Sequence, residues 1–196
     1  MQEESRKEKN FIKRIYHAEA PKWLKYAILF GYPVLLFYIT AFMTYNPFVR
    51  TRWRAQILNL LLFEAFVWLL LAITGSAVIA LRTETILGIA LSIANYYVIS
   101  FRGSPVVPWD LLSLGTAASV AGGYDYTLPP RQIALILLML FLAFTERYAK
   151  IHISRKKILL RAGSAVISIA CMAGIGWMVQ DLSLIHISEP TRHAQI

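Results

Sequence analysis

Apolar residues collect in five long runs along the chain, and short stretches between them hold most of the charged residues. A membrane-spanning helix needs about 20 apolar residues to cross roughly 30 Å of hydrocarbon. The pattern therefore predicts an all-α polytopic membrane protein with five transmembrane helices. The predicted spans are Trp23–Tyr45, Ala55–Leu81, Thr85–Phe101, Arg131–Thr145 and Ile158–Val179.

The composition supports this class. Hydrophobic residues make up 57% of the 196 residues, above the 45–50% typical of soluble domains. The net charge of +9 could suit nucleic acid, but the charges flank the apolar runs as membrane-topology signals do. We therefore predict no nucleic-acid partner. The single cysteine, Cys171, rules out a disulfide framework within the chain.

The distribution of basic residues predicts the orientation of the chain. Residues 1–22 are too long and too acidic for a signal-peptide leader, so they are predicted to be a retained cytosolic segment. With the N-terminus inside, fourteen Lys and Arg residues of the predicted cytosolic segments face the cytosol and five face outside. Positive residues favour the cytosolic side, which predicts an extracytoplasmic C-terminus. The outside group contains the cluster Arg50, Arg52 and Arg54, which opposes the rule.

The last fifteen residues, 182–196, differ from the rest of the chain. "LSLIHISEPTR" resembles the translation of a transposase adapter used to prepare sequencing libraries. Its polarity changes abruptly and fits no helical or strand period. We predict that residues 182–196 are non-native, that the membrane domain comprises 23–181, and that the natural chain continues beyond Asp181.

A polar loop follows the third predicted span and is predicted to lie outside. In "FRGSPVVPWDLLSLG", residues 101–115, Gly103 and Pro105 disfavour a helix. Pro108 then suits the start of a short helix. At about 14 residues this helix is too short to span, so we expect it on the outer surface or re-entrant. Arg102, Trp109 and Asp110 could bind an anionic lipid head group. Alternatively, Arg102 pairs with Asp110 and Trp109 is an interfacial anchor.

Polar residues within the predicted spans are the other candidates. Glu64 and Asn95 lie inside spans, with Asn59 near Glu64. Such residues form either a proton or head-group site, or hydrogen bonds between helices. His17 and His152 are isolated, and no metal-binding or nucleophile motif is present, so we predict no metal site and no catalytic residue in this chain.

The stretch "NYYVISFRGSPVVPWDLLSLGTAASVAGGY", residues 95–124, resembles the membrane-domain signature of the lipoteichoic acid synthase family. These sulfatase-like phosphoglycerol transferases of Gram-positive bacteria transfer glycerol phosphate from phosphatidylglycerol to a growing cell-envelope polymer. The residues that match the pattern of this loop are Asn95, Arg102, Gly103, Pro105, Pro108 and Asp110.

The resemblance implies a five-span domain in the bacterial plasma membrane that anchors the enzyme and presents lipid, with phosphatidylglycerol as partner. It also implies a downstream extracytoplasmic catalytic domain carrying Mn²⁺ or another divalent metal, which this chain does not contain. The alternatives are a small self-contained transporter, in which Glu64 and Asn95 line a cavity, and a structural membrane protein.

Overall fold

In the computed structural model the described residues are 20–106, 110, 126–154 and 156–187, and residues 179–187 are described by their backbone alone. This part of the chain is helical. The helices are α1 (Lys22–Phe42), α2 (Pro47–Arg50), α3 (Trp53–Thr74), α4 (Ala77–Arg102), α5 (Pro130–Ala143), a 3-10 turn (Phe144–Tyr148) and α6 (Ile158–Ile187).

Within the described residues, four helices are long and apolar enough to cross a membrane: α1, α3, α4 and the Ile158–Met178 part of α6. Many large apolar side chains of the bundle point outward, where lipid would contact them; Trp23, Phe30 and Ile86 are examples. The fourth predicted span, Arg131–Thr145, corresponds closely to helix α5. Helix α5 has 14 residues, about 21 Å at 1.5 Å per residue, which is less than the hydrocarbon thickness.

The turn between α3 and α4 lies at Gly75 and Ser76, whereas the sequence prediction left residues 82–84 between two spans. Gly75 ends α3 with φ +74°, and its N–H donates to Leu71 O at 2.8 Å. A Cβ at Gly75 would lie 2.9 Å from Ile153 O, so the close approach of segment 149–154 requires glycine here. Arg82 and Glu84 consequently belong to helix α4.

The bundle has two ends with different chemistry. The loop end is where α1 and α4 end and α5 begins, and the turn end is at Gly75 and Ser76, between α3 and α4. At the loop end, Arg131 at the start of α5 donates to Phe42 O at 3.0 Å, and Gln132 donates to Met43 O at 3.3 Å. At the turn end, Ala77 N donates to Ile151 O at 3.0 Å and Ile153 N donates to Gly75 O at 2.8 Å. These contacts make α5 antiparallel to α1.

Helices α1, α3, α4 and α5 pack around a core that includes Leu36, Leu71, Leu81 and Met139, whereas α6 packs mainly on α3. Helix α6 extends through Ile187, six residues into the stretch predicted to be non-native. Extending an existing helix adds a backbone hydrogen bond per residue without a new nucleation cost. Residues 1–19 and 188–196 lie outside the described part.

A fully buried carboxylate joins the helices near the turn end. Glu146, in the 3-10 turn, accepts hydrogen bonds at Oε1 from the hydroxyls of Tyr32 at 2.7 Å and Thr85 at 2.9 Å. Arg82 Nε donates to Oε2 at 3.3 Å. The hydroxyls of Tyr32 and Thr85 also contact each other. Because a buried charge without partners is costly, these donors fix the end of α5 against α1 and α4.

We expect Tyr32→Phe to lower the free energy of unfolding by about 1–2 kcal/mol, because Glu146 stays buried and loses one donor. Unfolding of the purified chain in mixed micelles, followed by circular dichroism, measures this. Tyr38→Phe is the matched control on the same helix, since Tyr38 donates only to the neutral Gln56 amide oxygen at 3.3 Å. Equal losses in the two variants would show that Glu146 has no special role.

Candidate functional site

A pocket of about 350 Å³ opens at the loop end between α1, α3, α4 and the start of the loop at Val106. It brings together Asn59 and Asn95, two of the polar residues selected from the sequence. Its polar lining residues are Thr40, Thr44, Tyr45, Asn59, Ser92 and Asn95, and its apolar walls include Phe37, Phe63 and Leu91.

The hydroxyl groups of this pocket donate to their own helices. Thr40 Oγ1 donates to Phe37 O at 2.8 Å, and Ser92 Oγ donates to Ile89 O at 3.0 Å. A hydroxyl that donates its proton in this way keeps its oxygen lone pairs as acceptors. The lining therefore suits a ligand that brings hydrogen-bond donors, such as the hydroxyls of a polyol head group. Among the pocket's lining residues, the polar groups are hydroxyls and amides without a carboxylate, which fits binding better than acid–base chemistry.

The start of the loop is tied to the rim of the pocket. Asn95 Oδ1 accepts from the Val106 N–H at 2.9 Å, so a polar residue of α4 fixes the backbone that borders the pocket. Gly103 ends α4 with φ +76° and its N–H donates to Ile99 O at 2.8 Å. This left-handed cap turns the chain back over the helix end.

Arg102 and Asp110 form a bidentate ion pair, with N–O distances of 2.7 and 2.8 Å. Arg102 also donates to Pro105 O at 2.8 Å. The alternative in which Arg102 pairs with Asp110 is therefore the one seen in the structure. The pair closes the turn from residue 102 to residue 110. The Arg102 side chain remains 45% exposed. The predicted short helix begins at Pro108; apart from Asp110, its residues, among them Pro108 and Trp109, lie outside the described part of the chain.

Aromatic contacts hold the returning end of the loop. Tyr97 Oη donates to Tyr126 O, and the two rings meet edge-on with centroids 5.2 Å apart. Phe101 contacts the Tyr126 ring in the same way, at 5.7 Å. The residue pairs 95–106 and 97–126 thus attach both ends of the loop to one helix, α4.

Basic residues surround this end of the bundle. Arg50, Arg52 and Arg54 are exposed beside the exposed aromatic residues Phe48 and Trp53. The guanidinium of Arg54 lies over the Trp53 ring, 5.5 Å from its centroid. Arginine next to interfacial aromatic residues is typical of segments that contact lipid phosphates. The cluster that opposed the positive-inside pattern therefore lies at the end of the bundle where the pocket opens.

Glu64 does not line the loop-end pocket with Asn95. It lies on α3 beside Glu84 of α4, which the sequence analysis missed together with Glu146. Both residues were assigned to segments outside the spans. The signal that could have found Glu84 is "TGSA", where Gly75 followed by Ser76 marks a turn and places residues 77–102 in one helix.

The described residues contain no group of three or more His, Cys, Asp or Glu side chains that could hold a metal ion. His152 takes part in an isolated backbone bridge with Ser76, and His17 lies outside the described part. In comparisons with known proteins, no family model, no curated protein and no solved structure matches this chain.

We expect Asn95→Ala to speed hydrogen exchange of the Val106 amide about tenfold, because a net hydrogen-bond contribution near 1.4 kcal/mol corresponds to that factor. Exchange measured by mass spectrometry on the chain in micelles tests this. Asn59→Ala is the control, since Asn59 lines the same pocket while the Val106 amide bonds to Asn95. An unchanged rate in Asn95→Ala would mean that the Asn95 amide does not hold the loop.

Proposed function

We propose that this chain is the membrane domain of a lipoteichoic-acid-synthase-like enzyme of the sulfatase family. Its role is to anchor the enzyme and to present phosphatidylglycerol, the donor of glycerol phosphate in cell-envelope polymer synthesis. One observation carries the proposal. Asn95, which belongs to the stretch that resembles the family, lines the loop-end pocket and holds Val106 at its edge. Arg102 and Asp110, from the same stretch, close the turn that contains Val106.

The chemistry of the pocket suits this lipid. The hydroxyl and amide oxygens of the lining accept hydrogen bonds from a glycerol head group. Exposed arginines at the same end, among them Arg52 and Arg54, provide positive charge for its phosphate. Phe37, Phe63 and Leu91 supply an apolar wall for the upper part of the acyl chains. Recognition therefore uses neutral acceptors within the pocket and cations around it.

Five crossings of the membrane are part of the proposal. Helix α5 and the 3-10 turn lead the chain from the loop end, at Arg131, to the turn end, at Glu146. Together with the four long helices this path supports five crossings. The distribution of basic residues favours a cytosolic N-terminus and an extracytoplasmic C-terminus, and the resemblance implies a bacterial plasma membrane. The pocket then opens at the outer leaflet, on the side where the catalytic domain and its divalent metal, Mn²⁺ or another, would lie.

Sequencing the locus beyond codon 181 tests the enzyme assignment. We expect an open reading frame that encodes a sulfatase-type α/β domain, because the family that residues 95–124 resemble carries its catalytic domain after the membrane domain. A stop codon, or a frame that encodes an unrelated domain, would remove the assignment and leave a self-contained membrane protein.

Lipid binding tests the role of the loop. We expect Arg102→Ala to weaken binding of the full-length protein to phosphatidylglycerol nanodiscs, because a cation near the phosphate is lost. Asp110→Asn should preserve binding, since it releases the guanidinium from its carboxylate partner while keeping the shape of the side chain. Phosphatidylcholine nanodiscs, which carry no net charge, are the control. Unchanged phosphatidylglycerol binding in both variants would exclude the loop from head-group recognition.

A further inference from the structure

A second unusual site lies toward the turn end, at Glu84 of α4. This side chain is 3% exposed, and neither of its carboxylate oxygens has a hydrogen-bond partner within the described part of the chain. Arg82, two residues earlier, points to another side of the helix, because positions i and i+2 do not share a face. Glu84 is therefore a buried acid without the donors that Glu146 has.

The charged neighbours of Glu84 make its position more costly. Glu64 from α3 and Glu146 from the 3-10 turn both act on it electrostatically, and Tyr32 faces it from α1. Glu64 itself has one buried oxygen, Oε2, without a hydrogen-bond partner in the described region. The guanidinium of Arg82 binds Glu146. Two carboxylates thus lie side by side without a paired cation among the described residues.

The surroundings of Glu84 indicate which positively charged species could neutralise it. An ionised carboxylate is strongly disfavoured in an apolar environment unless it is paired or neutralised. A bound metal cation would need several oxygen ligands, and the described residues contain no cluster that could hold a metal. A proton needs only the carboxylate itself.

A cavity of about 220 Å³ adjoins Glu84 between α3, α4 and α6. Its other walls are apolar and include Phe63, Phe66, Leu87 and, from α6, Met172. Helix α6, which packs mainly on α3, borders this cavity through Met172. The site therefore combines a buried acid with a nearby space through which small molecules can reach it.

We propose that Glu84 is a proton-binding site inside the helix bundle, and that its proton exchanges through the cavity between α3, α4 and α6. Loss of the proton would leave an unpaired negative charge buried on α4, which would weaken its packing against α3. The site would thus make the packing of these two helices depend on proton occupancy. This inference is independent of the lipid-presenting role.

A hydrophobic carbodiimide tests both parts of the proposal. Dicyclohexylcarbodiimide reacts with a protonated carboxyl group: the acid proton moves to a carbodiimide nitrogen and the carboxylate oxygen bonds to the central carbon. The adduct then rearranges to an N-acylurea that retains all atoms of both reactants. We expect mass spectrometry to find this adduct on Glu84, at a yield that falls as the pH rises. Glu146, bound to Arg82, is the internal control and should stay unmodified.

Infrared spectroscopy of the full chain in nanodiscs tests whether Glu84 carries a proton, independently of whether a reagent can reach it. The wild type should show the carbonyl stretch of a protonated carboxylic acid; Glu84→Gln should lose it, and Glu84→Asp should retain it if the Gln variant fails to fold. A wild type without this band, or a band of full intensity in Glu84→Gln, would overturn the proposal. If the wild type shows the carboxylic-acid band but Glu84 is not labelled by the carbodiimide, the proposed proton exchange through the cavity is overturned.

Discussion

The buried carboxylate of Glu146 is the interaction on which the bundle depends. It is fully enclosed and receives donors from α1 and α4, while it belongs to the turn that follows α5. An acid in this position is tolerated only when its hydrogen bonds are satisfied, so the positions of three elements are coupled through one side chain. This coupling also explains why α5 stops after 14 residues: the chain tightens into a 3-10 turn to direct Glu146 inward.

The path of the chain after Glu146 follows from the same constraint. Segment 149–154 runs along the turn between α3 and α4, where Ile151 and Ile153 exchange backbone hydrogen bonds with Ala77 and Gly75. Only a residue without a Cβ fits at Gly75. Arg161, at the start of α6, then donates to the last carbonyls of α3, at Ala72 and Ile73. These bonds satisfy helix-end groups that would otherwise be left unpaired.

The two ends of the bundle offer different chemistry to a ligand. The loop end presents neutral acceptors and nearby arginines. Toward the turn end, within the described residues, lie the acidic side chains Glu84 and Glu146, of which Glu146 is paired with Arg82. The loop-end pocket and the cavity at Glu84 share Phe63, Gly88 and Leu91 as lining residues. A shift of α4 relative to α3 would therefore change both spaces, which connects the surroundings of Glu84 physically with the loop-end pocket.

The sequence by itself determined the membrane class and the approximate positions of the first and last spans, because apolar runs bounded by charge or aromatic residues depend only on local composition. It also indicated Asn59 and Asn95 as unusual, since polar groups in a span are costly wherever they lie.

The tertiary structure decided which of these residues meet. Asn59 joins Asn95 across α3 and α4, while Glu64 lies beside Glu84. It also decided that Arg82 and Glu84 belong inside a helix and that Glu146 is buried. From the sequence, a charged residue such as Glu146 is expected to be exposed. Its burial is stable only because residues distant in the chain, Tyr32 and Thr85, donate hydrogen bonds to it.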